Sequence, residues 1–348
     1  MKIAILAHDR FPVAPPFAGG MESFVWHLAR RLLLLGHEVV LFAAPGSDIS
    51  SGAEELSIEP FVLSDAARED AAMPPETQVR STVAYMRAMI ALAHRSDVDV
   101  IHNNSLHYVP ISFADFVPQP VLTTLHTPPH PWIESALRQS PRGRAVSVSA
   151  SVAAGWEAII STEIVPNGVD LDEWSLGPGG TDLVWFGRIV PEKAPHEAVL
   201  IARRSGRILR LAGPIGDEGY FNEVLEPLLD DRAVHVGHLE PRELNALVGR
   251  SAACIVSPAW AEPYGLVAAE ALACGTPVLA IARGGLPEFV QPPAGIAVPP
   301  DASGAEIDTA LERVIGFDRR GVRRHAEATC SLEVMVDRYI GLYEELAR

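Results

Sequence analysis

The sequence predicts an α/β protein made of two doubly wound, parallel-sheet domains. Short apolar runs alternate with helix-like segments along the whole chain, which is the pattern of parallel βαβ units. A segment dense in glycine and proline interrupts this pattern at 176–181, and such segments break regular structure. The chain has 348 residues, enough for two domains at about 150 residues per domain.

The first domain is predicted to cover residues 1–168. Its apolar runs predict strands at 2–7, 38–43, 98–102, 121–126, 145–149 and 164–165, with helices at 21–35 and 76–94. The first run could also be the core of a signal peptide. However, His8-Asp9-Arg10 interrupts it and no small-residue cleavage site follows. A buried first strand explains the run better.

The second domain is predicted to cover residues 182–330, after a linker at 169–181. Strands are predicted at 183–186, 208–212, 233–236, 253–257, 277–280 and 295–298, with helices at 192–204, 242–250 and 267–273. The amphipathic tail at 331–348 is predicted to be a helix that packs back on the first domain. Ligands of such folds usually bind at the carboxyl ends of the strands, so the chemistry is expected there.

Composition excludes several classes of partner. The formal net charge of −16 disfavours nucleic acid, whose binding rests on neutralising phosphates, and it gives no support to peripheral membrane contact. The sequence contains no run of about 18 uncharged apolar residues, so a transmembrane segment is not predicted. The widely spaced Cys254, Cys274 and Cys330 are typical of reduced thiols rather than of disulfides or a metal site. These features predict a cytoplasmic protein.

The segment EPYGLVAAEALACGTP is the motif with the clearest chemistry. A predicted strand precedes it, and the Gly-Thr-Pro at its end is typical of a helix stop. The amides of Gly265, Leu266 and Val267 are therefore predicted to lie free at a helix N-terminus, where they can bind a phosphate. Glu262 and Glu270 would be repelled by that phosphate and suit the hydroxyl groups of a sugar. The alternative is that the two glutamates are part of a solvated helix face.

Four segments together resemble the family 4 glycosyltransferases. Residues 262–270 resemble the family's E-x7-E element, and residues 185–193 resemble its G-R-x(3)-E-K element. Residues 165–170 resemble its P-N-G-V-D turn, and residues 18–22 resemble its N-terminal G-G-x-E loop. All four occur in the family's order, which makes chance agreement improbable. The resemblance implies the GT-B fold, with two doubly wound Rossmann-like domains facing across a cleft.

Arg188 and Lys193 follow the first predicted strand of the second domain. Two cations there can hold a diphosphate and offset the charge that develops as a nucleoside diphosphate leaves. The alternative is an exposed pair on a solvated turn. The family has glycine after this lysine, whereas this chain has Ala194-Pro195. Proline suits the first turn of a helix, so the phosphate role is kept although the local backbone can differ.

The resemblance also implies roles for single residues. Glu270 would bind the donor ribose, Glu262 would contact the transferred sugar, and His126 resembles the family's histidine on the acceptor side. The catalytic residues assigned in this way are His126, Arg188, Lys193 and Glu262. The donor-binding residues are Gly19, Gly20, Gly187, Arg188, Lys193, Gly237, His238, Tyr264, Gly265, Leu266, Val267 and Glu270. A structural role remains the alternative for His126, and ordinary turns remain the alternative for both glycine-containing loops at 19–20 and 237–238.

The function implied is a retaining, metal-independent glycosyltransferase that needs no cofactor. The donor would be a UDP-sugar or, as second choice, a GDP-sugar. The acceptor would be a hydroxyl group of a glycan, a glycolipid or a small molecule. Asp97-Val98-Asp99 matches the D-x-D metal motif of other glycosyltransferases, but it precedes a predicted strand and we interpret it as a loop. No His or Cys spacing predicts a metal site.

Acceptor recognition is expected in the first domain's loops at 11–17, 103–108 and 128–132. Their proline, histidine and aromatic residues suit a sugar and a small natural-product ring equally. A nucleotide-sugar epimerase of the same fold and a non-catalytic nucleotide-sugar-binding protein remain alternative functions. A nicotinamide dehydrogenase is disfavoured, because the first strand is not followed by G-x-G-x-x-G.

Overall fold

The computed structural model describes residues 1–48, 53–55, 61–140 and 142–348. The chain divides into two units. The first contains Met1–Ser147, Ala153–Ile164 and Arg338–Arg348, and the second contains Val148–Val152 and Val165–Asp337.

The first unit is built on a seven-stranded sheet in the order β3-β2-β1-β4-β5-β6-β7. Its strands are β1 Lys2–Leu6, β2 Glu38–Ala43, β3 Ala53–Glu55, β4 Val100–Asn103, β5 Val121–Leu125, β6 Arg144–Ser147 and β7 Glu163–Ile164. The helices are α1 Gly20–Leu34, α2 Asp65–Glu69, α3 Glu76–Ala93, α4 Tyr108–Ser112, α5 Pro131–Gln139 and α6 Ala150–Trp156, the last of which begins within the second unit. The strand pairs are parallel, and the central strands β4 and β5 are buried throughout.

The second unit is built on a six-stranded parallel sheet in the order β10-β9-β8-β11-β12-β13. Its strands are β8 Leu183–Phe186, β9 Leu209–Ala212, β10 Ala233–His235, β11 Ala253–Val256, β12 Val278–Ile281 and β13 Gly295–Val298. The helices are α7 Pro195–Ser205, α8 Glu218–Tyr220, α9 Pro241–Gly249, α10 Leu266–Ala273, α11 Leu286–Phe289, α12 Gly304–Ile315, α13 Arg319–Thr329 and α14 Leu332–Leu346, the last of which belongs to the first unit from Arg338 onward. The order corresponds to 3-2-1-4-5-6, the doubly wound arrangement of nucleotide-binding folds.

The predicted strands are all present, with ends shifted by at most two residues. Their apolar runs are easy to detect, because strands of a parallel sheet are buried on both faces. The predicted helix at 192–204 is wrong at its start. Pro191–Lys193 forms a separate 3-10 turn, and α7 begins only at Pro195. The cause is Ala194, whose φ of +46° is left-handed and cannot continue a helix.

The C-terminal helix α14 contributes two tyrosines to a buried polar network in the first unit. The Tyr343 hydroxyl lies 2.6 Å from His102 Nδ1, and the Tyr339 hydroxyl lies 3.0 Å from Thr124 Oγ1. His102 Nε2 is 2.8 Å from the same Thr124 oxygen. Burial lowers the pKa of His102 to about 3, so the ring is neutral and the network carries no charge. None of the described helices is both long and apolar enough to cross a membrane.

Arg319, the first residue of α13, holds several turns of the second unit together. Its guanidinium donates to the main-chain carbonyls of Gly177, Gly249, Ser251 and Cys274 at 2.9 to 3.2 Å. It also donates to the Thr276 hydroxyl at 2.8 Å. A planar guanidinium can reach several carbonyls at once, which a lysine ammonium on a flexible stem cannot do in the same geometry.

The substitution Arg319→Lys is expected to lower the free energy of unfolding by about 2 kcal/mol or more, because several carbonyls lose their donor. Denaturant unfolding measures this loss. Arg320→Lys is the matched control, since Arg320 is the adjacent residue of the same helix and is exposed. Equal stability of the two variants would show that the Arg319 contacts contribute nothing specific.

Candidate functional site

The strand order of the second unit places two loops side by side. The order reverses between β8 and its neighbour β11, and the loops after these strands therefore leave the sheet in a crevice at its carboxyl edge. The loop after β8 carries Gly187, Arg188 and Lys193. The loop after β11 carries Glu262 and leads into α10. Residues far apart in the sequence are thus brought to one place.

Lys193 and Glu262 join these two loops directly. Lys193 Nζ lies 2.6 Å from Glu262 Oε2, and the indole N–H of Trp260 donates to the same oxygen at 3.0 Å. The ammonium also lies 5.5 Å from the centre of the Trp260 ring, within the range of a cation–π contact. The Glu262 side chain is only 10% exposed. Within the described residues, Oε1 accepts no hydrogen bond, so it is the oxygen that can accept one from a ligand.

Arg188 occupies the same loop but makes no ion pair or side-chain hydrogen bond with the part of the chain that the structure describes. It follows Gly187, whose φ of +144° is closed to other residues. The Gly187 amide donates to the Ala212 carbonyl at 3.0 Å, and the Gly213 amide donates to the Gly237 carbonyl at 2.8 Å. The loops after β8, β9 and β10 are therefore bonded in sequence along the sheet edge. The guanidinium of Arg188 is partly buried and is available to an anion.

The N-terminus of α10 presents free amide groups to this edge. Gly265 precedes the helix with a φ of +100°, and Leu266 is its first residue. The amides of Gly265, Leu266 and Val267 donate no hydrogen bond within the described ranges. Such amides, together with the helix dipole, form an anion site. The structure thus agrees with the geometry that the sequence predicted for this segment.

Glu270 lies one turn further along α10. Burial raises its pKa to about 8, and the nearby Glu173 carboxylate adds to the effect. The side chain is partly exposed and is neutral at pH 7 in the absence of a ligand. In the sequence, Glu262 precedes the free amides and Glu270 follows them. They can therefore contact different parts of one extended ligand.

Tyr264 is placed differently from the other predicted donor residues. Its side chain is buried, and its ring stacks on Phe289 with centroids 4.8 Å apart. The main chain of Tyr264, rather than its hydroxyl group, is therefore the part that can contact a nucleotide-sugar donor. Gly237 has a φ of +86° and open space where a side chain would begin, and His238 beside it is exposed.

The first unit carries the remaining predicted site residues at the carboxyl edge of its own sheet. His126 directly follows β5, and Asn104 directly follows β4. His126 Nε2 lies 3.0 Å from Asn104 Oδ1, and its ring meets Phe24 edge-on at 4.9 Å. Burial lowers the pKa of His126 to about 3. The imidazole is therefore neutral, and an Nε2–H that donates to Asn104 leaves Nδ1 as an acceptor.

Gly19 and Gly20 begin the long helix α1. Gly19 is the residue before the helix, in an extended conformation, and Gly20 is its first residue. A side-chain carbon on Gly19 would lie 3.2 Å from Glu22 Oε2, so the turn leaves little room for a larger residue.

The Asp97-Val98-Asp99 segment lies at the opposite edge of the first sheet. Asp99 accepts from the Lys2 amide at 2.7 Å, at the amino end of β1. Asp97 pairs with Lys2 at 2.8 Å and with Arg95 at 3.0 Å. Hydrogen bonds from these two cations hold the pKa of Asp97 well below its usual range. Both carboxylates are thus used by the chain itself, which agrees with the interpretation of this segment as a loop.

Two partners of the predicted site residues were not singled out from the sequence. Trp260 fixes Glu262 through its indole N–H, and Asn104 fixes His126. An indole two residues before a glutamate gives a weak signal. Asn104 lies in the loop at 103–108 where acceptor recognition is expected, but only the parallel pairing of β4 with β5 brings it beside His126.

Two family models together match residues 18–317. The family model described as Glycosyltransferase Family 4 matches residues 18–173, and that described as Glycosyl transferases group 1 matches residues 173–317. The D-inositol 3-phosphate glycosyltransferase of Mycolicibacterium smegmatis is 30% identical over 362 residues, which cover 88% of this chain and 80% of that protein. The glycogen synthase of Mycobacterium tuberculosis is 27% identical, over 83% of this chain and 80% of that protein.

Solved structures show the same fold. The Anabaena HepE protein, whose structure is described as a complex with UDP and glucose, superimposes with a TM-score of 0.75 at 18% identity. The match covers 99% of this chain and 100% of that one. With its two matching family models, a relative at 30% identity and the GT-B fold, the chain belongs to the family 4 glycosyltransferases.

Proposed function

We propose that this enzyme transfers a hexosyl group from a UDP-sugar to an acceptor hydroxyl, with retention of configuration and without a metal ion. The observation that carries the proposal is the convergence of the Lys193–Glu262 pair, the unpaired Arg188 and the free amides of α10 at one edge of the second sheet. Such a set offers positive charge to a diphosphate and a carboxylate oxygen to a sugar.

The electrostatic part of the proposal concerns the leaving group. The bond from the sugar's anomeric carbon to the diphosphate breaks, and negative charge accumulates on the diphosphate oxygen. Lys193, which is paired with Glu262, and the N-terminus of α10 are held in place before that charge develops, and the unpaired Arg188 adds a third positive group. Each preorganised donor of this kind can contribute about 3 kcal/mol to the transition state. This is the role that a divalent cation fills in metal-dependent enzymes.

Glu262 and His126 are proposed to act on the sugars. Oε1 of Glu262 accepts a hydroxyl hydrogen bond from the transferred sugar, while Oε2 stays with Lys193 and Trp260. The acceptor oxygen attacks on the face from which the diphosphate departs, and its proton passes to a diphosphate oxygen. A neutral His126, with its pKa at about 3, serves as a hydrogen-bonding group near the acceptor rather than as a proton donor.

The nucleotide is proposed to lie along α10 and the loops after β8 to β10. Glu270 accepts hydrogen bonds from the ribose hydroxyls, and the base lies beside Gly237 and His238, where the chain leaves open space. The choice of uracil is supported by the UDP bound to the Anabaena relative of the same fold. Gly19 and Gly20 are proposed as further donor-binding residues, on the resemblance of residues 18–22 to the family's G-G-x-E loop.

Calorimetric titration with UDP, GDP, ADP and dTDP in the presence of EDTA tests the donor proposal. UDP is expected to bind most tightly, with an affinity that added Mg²⁺ does not improve, because the chain supplies the positive charge. Arg188→Ala is expected to lower the affinity for UDP by about tenfold or more, because one charge-assisted contact is lost. Binding of none of the four nucleotides would overturn the proposal, and binding only with Mg²⁺ would overturn its metal-independent part.

Glu262→Gln is expected to lower kcat by about 10²- to 10³-fold, because the pair with Lys193 is lost and the sugar meets a weaker acceptor. UDP affinity should change little, since Glu262 faces the sugar and not the nucleotide. Steady-state rates of UDP release from UDP-glucose, together with calorimetry, measure the two effects.

Asp308→Asn is the matched control for that substitution. It removes the carboxylate of an exposed ion pair with Arg204 in the same unit, and exposed pairs contribute little. A Glu262→Gln enzyme as active as Asp308→Asn would exclude Glu262 from the reaction.

Glu270 predicts a proton release when the nucleotide binds. Its pKa of about 8 in the free protein should fall when ribose hydroxyls donate to the carboxylate. At pH 7 the group therefore changes from neutral to ionised, and UDP affinity should rise with pH up to about 8. Titrations in buffers of different ionisation enthalpy measure the released proton, which Glu270→Gln should abolish.

The same pKa predicts a stability effect of opposite sign. A glutamate whose pKa is raised on folding stabilises the protein below its unfolded pKa, and this contribution is lost as the pH rises through about 8. Relative to Glu270→Gln, the free protein should therefore lose stability from about pH 5 to about pH 8. Unchanged proton release in Glu270→Gln would rule out the ribose contact.

A further inference from the structure

Four aromatic rings of the first unit form a continuous stack, which we call the aromatic platform (Tyr85, His107, Tyr108 and Trp132). The ring centroids of Tyr85 and His107 are 4.7 Å apart, and those of His107 and Tyr108 are 4.6 Å apart. Trp132 continues the stack at 5.4 Å from Tyr108. All three pairs are stacked, with interplanar angles between 22° and 28°.

The inner end of the aromatic platform is fixed in the core. Tyr85 is 1% exposed, and its hydroxyl donates to the Ala7 carbonyl at 2.8 Å, just after β1. His107 Nδ1 accepts from the Val109 amide at 3.2 Å, which sets the orientation of the ring. Rings held in this way lose little freedom when a ligand binds, so the cost of ordering them has already been met by folding.

The outer end of the aromatic platform is open. Trp132 is 57% exposed, although it is stacked on Tyr108 on one side. It is the second residue of α5, and the connection from β5 to α5 begins with His126. The platform therefore lies at the same sheet edge as the residue proposed to act near the acceptor. A single exposed indole elsewhere on the surface would need no explanation, but the end of an anchored stack at this edge does.

Polar groups accompany the platform. Asp9 follows β1 and is close enough to His107 to counter the lowering of its pKa by burial. The Asp9 carboxylate lies 3.9 Å from His8 Nδ1 and is partly exposed. A pyranose ring has an apolar face for an aromatic ring and hydroxyl groups for a carboxylate. Its C–H groups can lie on the negative face of an indole, and its hydroxyls can donate to a carboxylate. A lipid chain would use only the aromatic part.

We propose that the aromatic platform, through the exposed face of Trp132, binds the pyranose ring of a sugar acceptor. The inference rests on the proposed function and deepens it, because it names the acceptor as a carbohydrate. Tyr108 supports the indole directly, and His107 and Tyr85 continue the stack behind it. Asp9 lies at the His107 end of the aromatic platform. Trp132 is thus a specificity-determining residue.

Saturation-transfer NMR tests this inference with three probes: the methyl pyranosides of glucose, mannose and galactose, each with and without UDP. At least one is expected to receive saturation at its ring protons. Trp132→Ala is expected to lower the affinity for that sugar by about tenfold or more, as truncation of an anchoring indole does. Trp132→Phe should keep most of the affinity. Phe116→Ala is the matched control, since Phe116 is an aromatic residue of the same unit with 78% exposure.

UDP calorimetry on the same variants separates this inference from the proposed function. Unchanged UDP affinity in Trp132→Ala, together with the loss of the sugar signal, supports the platform. A sugar signal that is equal in Trp132→Ala and wild type, or absent for all three probes, overturns it. So does Trp132-dependent binding of a planar phenol such as resorcinol with none of the pyranosides. Failure of wild type to bind UDP overturns the donor proposal, and the sugar signal without UDP then still decides this one.

Discussion

The short contact between Lys193 and Glu262 constrains the whole donor side of this enzyme. It joins the loop after β8 to the loop after β11, two strands that are neighbours in the sheet but distant in sequence. Trp260 gives the same carboxylate a second donor, which matters because a largely buried charge with incomplete partners is costly. The contact leaves one carboxylate oxygen and the amides of α10 unused by the protein. The atoms that join the two loops are therefore different from the atoms that we propose to bind the ligand.

Much of the fold could be predicted, because the strands of a parallel sheet are buried on both faces and therefore appear in the sequence as apolar runs. The start of α7 could not be predicted in this way. The left-handed Ala194 separates Lys193 from the helix, and alanine gives no sequence signal for that conformation. Pro195 does give one, because proline suits the first turn of a helix, and it is the first residue of α7. Ala194 stands at the position where the family has glycine, the residue that adopts a left-handed conformation without steric cost.

The candidate site shows the same division between local and long-range information. The free amides at Gly265 follow from a local pattern of strand, glycine and helix, and they could be predicted. The burial of Tyr264 against Phe289 could not, because it depends on α11, a helix of four residues that has no clear periodicity. The partners Asn104 and Trp260 likewise depend on tertiary contacts. Sequence motifs therefore indicate which residues matter here more reliably than which atoms of those residues are available.

The two units also differ in the charge that their sheet edges carry. His102, His107 and His126 all have their pKa lowered by burial, to values of about 3 to 4, so these rings are neutral in the first unit at pH 7. The second unit supplies Arg188 and Lys193. The transfer that we propose builds negative charge on the departing diphosphate and therefore needs its cations on the nucleotide side. The uncharged acceptor that we propose can be held by the neutral His126 and by the aromatic platform, neither of which adds a cation that would compete for the released diphosphate.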